Sequence, residues 1–119
     1  MSAPGRTPDY LWHMLDATIW IEVYLAGFDQ DGFNRDNRTQ DAIIRNLEII
    51  GEAARNVVRD DPTFASGHPE IPWAQAYRMR NILSHAYAEV DVGIVWNAAQ
   101  HDIPVLREKL RLLISSLGW

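Results

Sequence analysis

The chain has 119 residues, of which 47% are hydrophobic and 23% charged, with a formal net charge of −5 and no cysteine. These values are typical of one globular domain and exclude disorder, collagen-like repeats and low complexity as descriptions of the whole chain. The acidic charge excludes a broad, non-specific nucleic-acid surface, but it leaves room for a local site for one phosphate group. The lack of cysteine excludes disulfides, thiolate nucleophiles and zinc–cysteine sites.

The start of the chain carries no targeting signal that we can identify. No apolar run approaches the ~20 residues of a membrane span, and the first residues lack a hydrophobic stretch of the signal-peptide type. We therefore expect a cytoplasmic protein without membrane association. Residues 1–8 contain two prolines and a glycine, which predicts a flexible tail followed by one helical domain over residues 9–119.

The first predicted helix runs from Tyr10 to about Phe28, with Asp9 as its N-cap. Its apolar residues recur at helical spacing over a wide arc, so we expect it to contact more than one partner. Gly27 and the polar run of residues 29–37 are predicted to end the helix in a loop.

A second helix is predicted over residues 39–59, with Thr39 as its N-cap, because apolar residues recur there at i, i+4 and i+7. Gly51 within this helix predicts close approach by a neighbouring helix, with a hinge as the alternative. Residues 60–71 are turn-forming residues and are predicted not to sustain a helix.

The third predicted helix has Pro72 in its first turn and runs to about Ala88. Asp91 then suits the N-cap of a fourth helical segment over residues 92–101.

Pro104 is expected to kink or restart the last helix, which continues over residues 104–117 and is closed by Gly118. The sequence contains no alternating strand pattern of useful length. The predicted fold is therefore all-α, an up-and-down bundle of four to five helices.

The third helix has an unusual polar face. On a helical wheel the residues of this face share an arc of about 160°, opposite the apolar side chains of the same helix. The segment from Tyr77 to Ala88 contains no acidic residue and no lysine, unlike the usual solvated face of an acidic protein. The members of the polar face are Arg80, Asn81, Ser84, His85 and Tyr87.

Arg80 and His85 are the candidates for catalysis. Arginine presents a planar fork of donors that suits phosphate oxygens, and histidine exchanges a proton near neutral pH. The two could cleave a phosphodiester without a metal, with His85 as acid or base and Arg80 stabilising charge on phosphorus. A surface or capping pair is the alternative interpretation. The pair is about 140° apart on an ideal helix, so the two side chains would converge through the length of arginine or across a symmetric homodimer.

Other polar residues do not indicate a metal site. His13, His68 and His101 lack the spacing of metal ligands. Glu48 and Glu52 lie one turn apart, and a solvated face or a pairing with Arg45 or Arg55 explains them more simply than a carboxylate pair.

The segment Arg80-Asn-Ile-Leu-Ser-His85-Ala-Tyr87 resembles the R-x-x-x-x-H-x-Y motif of HepT-like proteins, a branch of the HEPN superfamily. Residues 43–53, Pro72-Trp73, Val90-Asp91, Val95-Trp96 and residues 102–104 are similar to other segments of that family. The resemblance covers roughly residues 10–117.

The resemblance implies a helical bundle that dimerises through its motif-bearing helices, and many members are toxins that act as metal-independent ribonucleases. Arg80 and His85 match the catalytic pair, and Asn81 matches the polar position beside the arginine; Ser84 lies on the same face. Tyr87 matches a tyrosine that an MntA-type minimal nucleotidyltransferase modifies with AMP to silence the toxin. No cofactor is implied. The second hypothesis is a non-catalytic module that binds the nucleotidyltransferase or a nucleotide.

Overall fold

The computed structural model describes the backbone of residues 5–85 and 91–119 and the side chains of residues 5–80 and 91–119. These residues form four long helices, three short ones and one π-helical turn, and they contain no β-strand. The all-α prediction is confirmed. None of the helices in this part of the chain is long and apolar enough to cross a membrane. The elements are α1 (Thr7–Leu25), α2 (Gln30–Asn34), α3 (Asn37–Asp60), α4 (Pro62–Gly67), α5 (Trp73–His85), α6 (Val92–Asn97), the π turn (Ala98–Asp102) and α7 (Ile103–Leu117).

The long helices pack side by side in the order α5, α3, α1, α7, and each is antiparallel to its neighbour. At one end of α1, the Thr7 hydroxyl donates to the Asp61 carboxylate just beyond α3 (2.9 Å). At the other end, Arg107 of α7 forms an ion pair with Glu22 of α1 at 2.8 Å. The prediction that the first helix contacts more than one partner is confirmed, because α1 lies between α3 and α7.

The core lies where these four helices meet. Tyrosine, leucine, isoleucine and valine side chains recur there at helical spacing, as the sequence pattern predicts. Residues that contribute little or no exposed surface include Leu11, Met14, Ile21, Ile43, Val57 and Leu110.

Two predicted N-caps are wrong. Helix α1 begins at Thr7, so Asp9 lies in its first turn, where it forms an exposed ion pair with Arg6 at 3.6 Å. Helix α3 begins at Asn37, and Asp36 is its cap: its carboxylate accepts the backbone N–H of Thr39 at 2.9 Å. At α3 the upstream Asp36 satisfies the helix start through its side chain. At α1 the N-cap Arg6 makes no side-chain cap, and the helix begins early enough to take Pro8 into its first turn, where a proline is tolerated.

Two predicted loops contain short helices. In residues 29–37, Asp29 caps α2 by accepting the N–H of Gly32 (2.7 Å), and the buried Phe33 packs against Trp96. In residues 60–71, the Asp61 carboxylate accepts the N–H of Phe64 at the start of α4. Aspartate and proline at a helix start favour one short helix as much as a turn, and packing of the apolar side chains selects the helix.

The C-terminal elements follow the sequence closely. The Asp91 carboxylate caps α6 by accepting the N–H of Gly93 (2.8 Å), as predicted. Pro104 lies in the first turn of α7, directly after the π turn, because a proline cannot donate to the carbonyl four residues earlier. Gly118 closes α7 at φ +70°, in the left-handed region that favours glycine.

Helix α5 begins at Trp73 and continues to His85. Its predicted continuation to Ala88 lies outside the described residues.

Candidate active site

Helix α5 lies unusually close to α3 at Gly51. A Cβ atom on Gly51 would overlap the Cβ of Arg80 and would lie 2.8 Å from the carbonyl oxygen of Ala76. The predicted close approach at this glycine is therefore confirmed, and its partner is the helix that carries Arg80. Only glycine permits this separation, so one residue of α3 fixes the position of the candidate catalytic arginine.

Gly51→Ala is expected to destabilise the fold. The new methyl group must push α5 away from α3, and overpacking of this kind costs about 1–3 kcal/mol, against ~0.5–1 kcal/mol gained from helix propensity. The free energy of unfolding, measured by urea denaturation, should fall. Gly67→Ala is the matched control, because Gly67 also lies in a helix and a Cβ there meets nothing within 4 Å. Equal or greater stability of Gly51→Ala than Gly67→Ala would contradict the close-approach argument.

Arg80 is held by an acidic residue of α3. Its Nη2 lies 3.3 Å from Oε2 of Glu52, and the side chains are 30% and 45% exposed, respectively. The contact is an ion pair whose geometry falls short of a hydrogen bond, since the buried Oε2 accepts none from the described residues. Glu52 therefore pairs with Arg80, where the sequence suggested a solvated face or pairing with Arg45 or Arg55. The carboxylate limits the directions in which the guanidinium can point.

A second contact lies in the same register of α3 against α5. The guanidinium of Arg55 lies over the ring of Tyr77, 5.7 Å from its centroid. On α3, Arg55 follows Glu52 by three residues. On α5, Tyr77 precedes Arg80 by three residues, so the contact moves forward along one helix and backward along the other. The two helices run antiparallel, with one contact per helical turn along the seam between them.

Arg80 borders an open polar pocket of about 270 Å³ that three helices line. Asn56 is among the residues that line the pocket, and its Oδ1 atom is buried and accepts no hydrogen bond from the described residues. The lining residues are His13 from α1; Arg45, Glu48, Ile49, Glu52, Ala53 and Asn56 from α3; and Arg80 from α5.

The sequence did not single out His13, Arg45 or Asn56 as members of the site. Arg45, Glu52 and Asn56 recur at helical spacing on α3, but the same pattern describes an ordinary solvated face. His13 belongs to another helix, and no sequence spacing relates it to Arg80.

The remaining predicted site residues are placed only by their helix. Asn81, Ser84 and His85 belong to α5, and His85 is the last of its described residues, about 7.5 Å along the axis from Arg80. Their side chains lie outside the described part of the structure, as does all of Tyr87. The antiparallel register directs this end of α5 toward the end of the pocket where Arg45 lies. Among residues 5–80 and 91–119, no group of three histidine, aspartate or glutamate side chains could hold a metal ion.

The chain is similar to proteins with a consistent description. The model of a family described as "Ribonuclease HepT-like" matches residues 14–113. A Thermococcus cleftensis protein named "Probable ribonuclease HepT" is 44% identical over 105 residues, which are 88% of this chain and 93% of the relative. No solved structure is similar enough to this chain to count as a match.

Two other relatives carry similar names. A Caldanaerobacter subterraneus protein, "Putative RNase TTE0752", is 31% identical over 92% of this chain and 96% of its own length. A Methanocaldococcus jannaschii protein, "Gamma-glutamylcyclotransferase and putative RNase MJ0434", is 37% identical over 91% of this chain but only 47% of its own length. The family match and the level of identity agree with the motif around Arg80, and the chain belongs to the HepT-like ribonuclease family.

Proposed function

We propose that this chain is a metal-independent RNA endonuclease whose catalytic residues are Arg80 and His85. One observation carries the proposal: Arg80 forms an ion pair with Glu52 at the edge of an open polar pocket, on the helix that also contains His85. Membership of the family and the names of the relatives support the same activity.

In the proposed reaction, His85 takes the proton of a ribose 2′-hydroxyl, whose oxygen attacks the neighbouring phosphorus. The bond from phosphorus to the 5′-oxygen breaks, and that oxygen leaves with a proton from histidine or water. The products are a 2′,3′-cyclic phosphate and a 5′-hydroxyl. Arg80 stabilises the negative charge that grows on the phosphoryl oxygens. Asn81 and Ser84 provide additional hydrogen bonds, and Glu52 is a positioning residue for the guanidinium.

The experiment that tests this function is incubation of purified protein with single-stranded RNA in excess EDTA. We expect cleavage that EDTA does not reduce. Loss of cleavage on chelation, restored by Mg²⁺, would refute the mechanism. Intact RNA, together with binding of a nucleotide or of the nucleotidyltransferase, would instead establish the non-catalytic module.

We also propose a homodimer in which two copies of α5 line one groove. Arg80 and His85 are about 140° apart on their own helix, so a second copy can bring its histidine to the arginine of the first. Helix α1 supports the proposal. It packs against α3 and α7, yet a stripe of its apolar residues remains 39–54% exposed and is available to a second copy. The members of this stripe are Trp12, Ile19, Trp20, Val23 and Tyr24.

Light scattering at micromolar concentration tests the homodimer. We expect a mass twice the 13.6 kDa of one chain, because burial of the α1 stripe removes apolar area from water. Replacing Trp20 and Val23 with glutamate should shift the mass toward 13.6 kDa. The same double change at Val105 and Leu112, exposed on α7, is the control. A clean monomer mass for the wild type would contradict the shared groove.

Finally, we propose that the protein is the toxin of a toxin–antitoxin pair and that an MntA-type nucleotidyltransferase silences it by attaching AMP to Tyr87. The support is the match of Tyr87 to the family motif, two residues beyond His85. A gene for a small nucleotidyltransferase beside the gene for this chain would support the pairing.

A further inference from the structure

A second groove opens beside the polar pocket, on the other part of the seam between α3 and α5. It has a volume of about 710 Å³ and is lined by residues of α3, α4 and α5 and of the segment that joins α4 to α5. We refer to it as the Arg55–Arg78 groove, after the two arginines on its sides. Among the described residues, none of the side chains that line it is acidic, although the chain as a whole has a net charge of −5.

The groove carries positive charge that the described residues do not neutralise. Arg55 and Arg78 are exposed, and neither forms an ion pair with another residue of the described part. Arg59, the third arginine of the groove, donates two hydrogen bonds to the neighbouring Asp60, at 2.8 and 3.2 Å. Arg55 and Arg78 can therefore bind a polyanion, although the net negative charge of the chain as a whole repels polyanions.

The groove also offers a surface for stacking. Tyr77 is half-buried, and the guanidinium of Arg55 lies over one face of its ring. Val58 and Pro72 add apolar surface to the same groove. An aromatic ring beside arginines is the arrangement by which proteins bind unpaired bases of a single strand, because every base has a face that can stack.

The groove adjoins the candidate catalytic arginine. Tyr77 precedes Arg80 by three residues on α5, and Arg55 follows Glu52 by three residues on α3. Each interval is about one helical turn, or roughly 4.5 Å along the axis. A strand whose phosphate lies at Arg80 therefore reaches the groove within its next nucleotides.

We propose that the Arg55–Arg78 groove binds single-stranded RNA on one side of the phosphate that is cleaved at Arg80. Arg55 and Arg78 bind backbone phosphates, and Tyr77 stacks on a base. This inference rests on the proposed ribonuclease function. It makes the groove a determinant of substrate length and of the preference for unpaired RNA, separate from the residues that carry out the reaction.

The test uses the full chain with Arg55→Gln/Arg78→Gln, which keeps side-chain length and removes two charges. Substrates are single-stranded RNAs of about 4 and about 16 nucleotides. On the long RNA, KM should rise about 10- to 100-fold while kcat stays within about twofold, because the lost contacts lie away from the reacting atoms. On the short RNA both constants should hardly change. The slope of log KM against log salt should fall by about 1.4, because each of the two lost phosphate contacts contributes ~0.7 to the slope for a single strand.

The control is Lys109→Gln/Arg111→Gln, which removes two exposed charges of the same sign from α7. Its KM for the long RNA should stay within about twofold of the wild-type value. Because both double variants remove two positive charges, general charge attraction to RNA falls equally in both, and only the groove variant loses specific contacts. An unchanged KM in Arg55→Gln/Arg78→Gln, or a rise equal to that of the control, would overturn the groove assignment.

Binding separates this inference from the proposed function. If the wild type cleaves no RNA, the ribonuclease proposal fails, and fluorescence anisotropy with the long RNA still tests the groove. Weaker binding by Arg55→Gln/Arg78→Gln than by the α7 control then supports the groove, and equal binding overturns it. Tyr77→Leu should weaken binding of the long single strand and leave binding of a duplex of the same length unchanged. Equal weakening of both would exclude base stacking.

Discussion

Arg80→Ala and His85→Ala are each expected to remove almost all RNA cleavage, together with the growth inhibition that the proposed toxin role predicts. Loss of a general acid or base lowers a rate by about 10²- to 10⁴-fold, and loss of one charge-stabilising group by about 10²- to 10³-fold. Arg80→Lys should not restore the rate, since an ammonium cannot present the planar fork of a guanidinium. The measurement is the cleavage rate of a labelled single-stranded RNA under single-turnover conditions.

Both variants should fold. The Arg80 side chain is 30% exposed, and alanine keeps the Cβ atom that lies against Gly51, so its truncation should leave the helical circular dichroism unchanged. Arg111→Ala is the control, because it removes an exposed arginine that also forms an ion pair with a glutamate. Full cleavage by either site variant would refute its catalytic role.

A mixture of the two inactive variants tests whether the site is shared. In a mixed dimer, one subunit retains His85 and the other retains Arg80, which recreates one complete site if the two residues act across the interface. Mixing Arg80→Ala with His85→Ala should then restore up to about half of the activity per mixed dimer. An inactive mixture of subunits that are shown to exchange would place both catalytic residues in one chain.

Attachment of AMP to Tyr87 is the second expected result, and it should silence the enzyme. The Tyr87 oxygen attacks the α-phosphorus of ATP, pyrophosphate leaves, and the phenol proton is lost. On an ideal helix that extends through residue 87, Tyr87 would lie about 20° from Arg80, two turns along the same face. The tethered AMP would offer a phosphate to Arg80 at high effective concentration and would exclude RNA from the site. Mass spectrometry after incubation with the partner and ATP should show increments of about 329 Da.

The control for this modification is Tyr24→Phe. Tyr24 is 41% exposed on α1 and far from the motif in sequence, so this variant should be modified and silenced like the wild type. Tyr87→Phe should gain no mass and should remain active in the presence of the partner. If Tyr87→Phe is still modified and silenced, the switch is at another residue. The alternative is that Tyr87 packs in the dimer interface with its hydroxyl bonded to the backbone. The wild type would then gain no mass on incubation with the partner and ATP.

The parts of the fold that follow from local chemistry could be predicted from the sequence. Apolar periodicity indicated the long helices, Asp91 and Gly118 indicated a helix start and a helix end, and Gly51 indicated a close approach between helices. Short helices could not be predicted, because the same aspartates and prolines begin both turns and helices. In α2 the choice depends on burial of Phe33 against Trp96, which is 63 residues away along the chain.

The candidate site also has a part that could be predicted from the sequence and a part that could not. The polar face predicted for α5 rests on the spacing of Arg80 and its neighbours, and the structure places Arg80, Asn81, Ser84 and His85 on that one helix. The contact of Arg80 with Glu52 could not be predicted, since it depends on the register of two helices that Gly51 brings together. His13 joins the pocket from a third helix. Residues that meet only through tertiary packing leave no spacing in the sequence.

The ends of the cleaved RNA test the central claim most directly, because they report which oxygen attacked the phosphorus. In EDTA, the wild-type protein should produce fragments with a 2′,3′-cyclic phosphate and a 5′-hydroxyl, identified by mass spectrometry. One 2′-deoxy nucleotide placed at the cleaved position should stop the reaction there, and His85→Ala should yield no such fragments. Fragments that carry a 5′-phosphate, or cleavage that continues at the 2′-deoxy position, would contradict the mechanism assigned to Arg80 and His85.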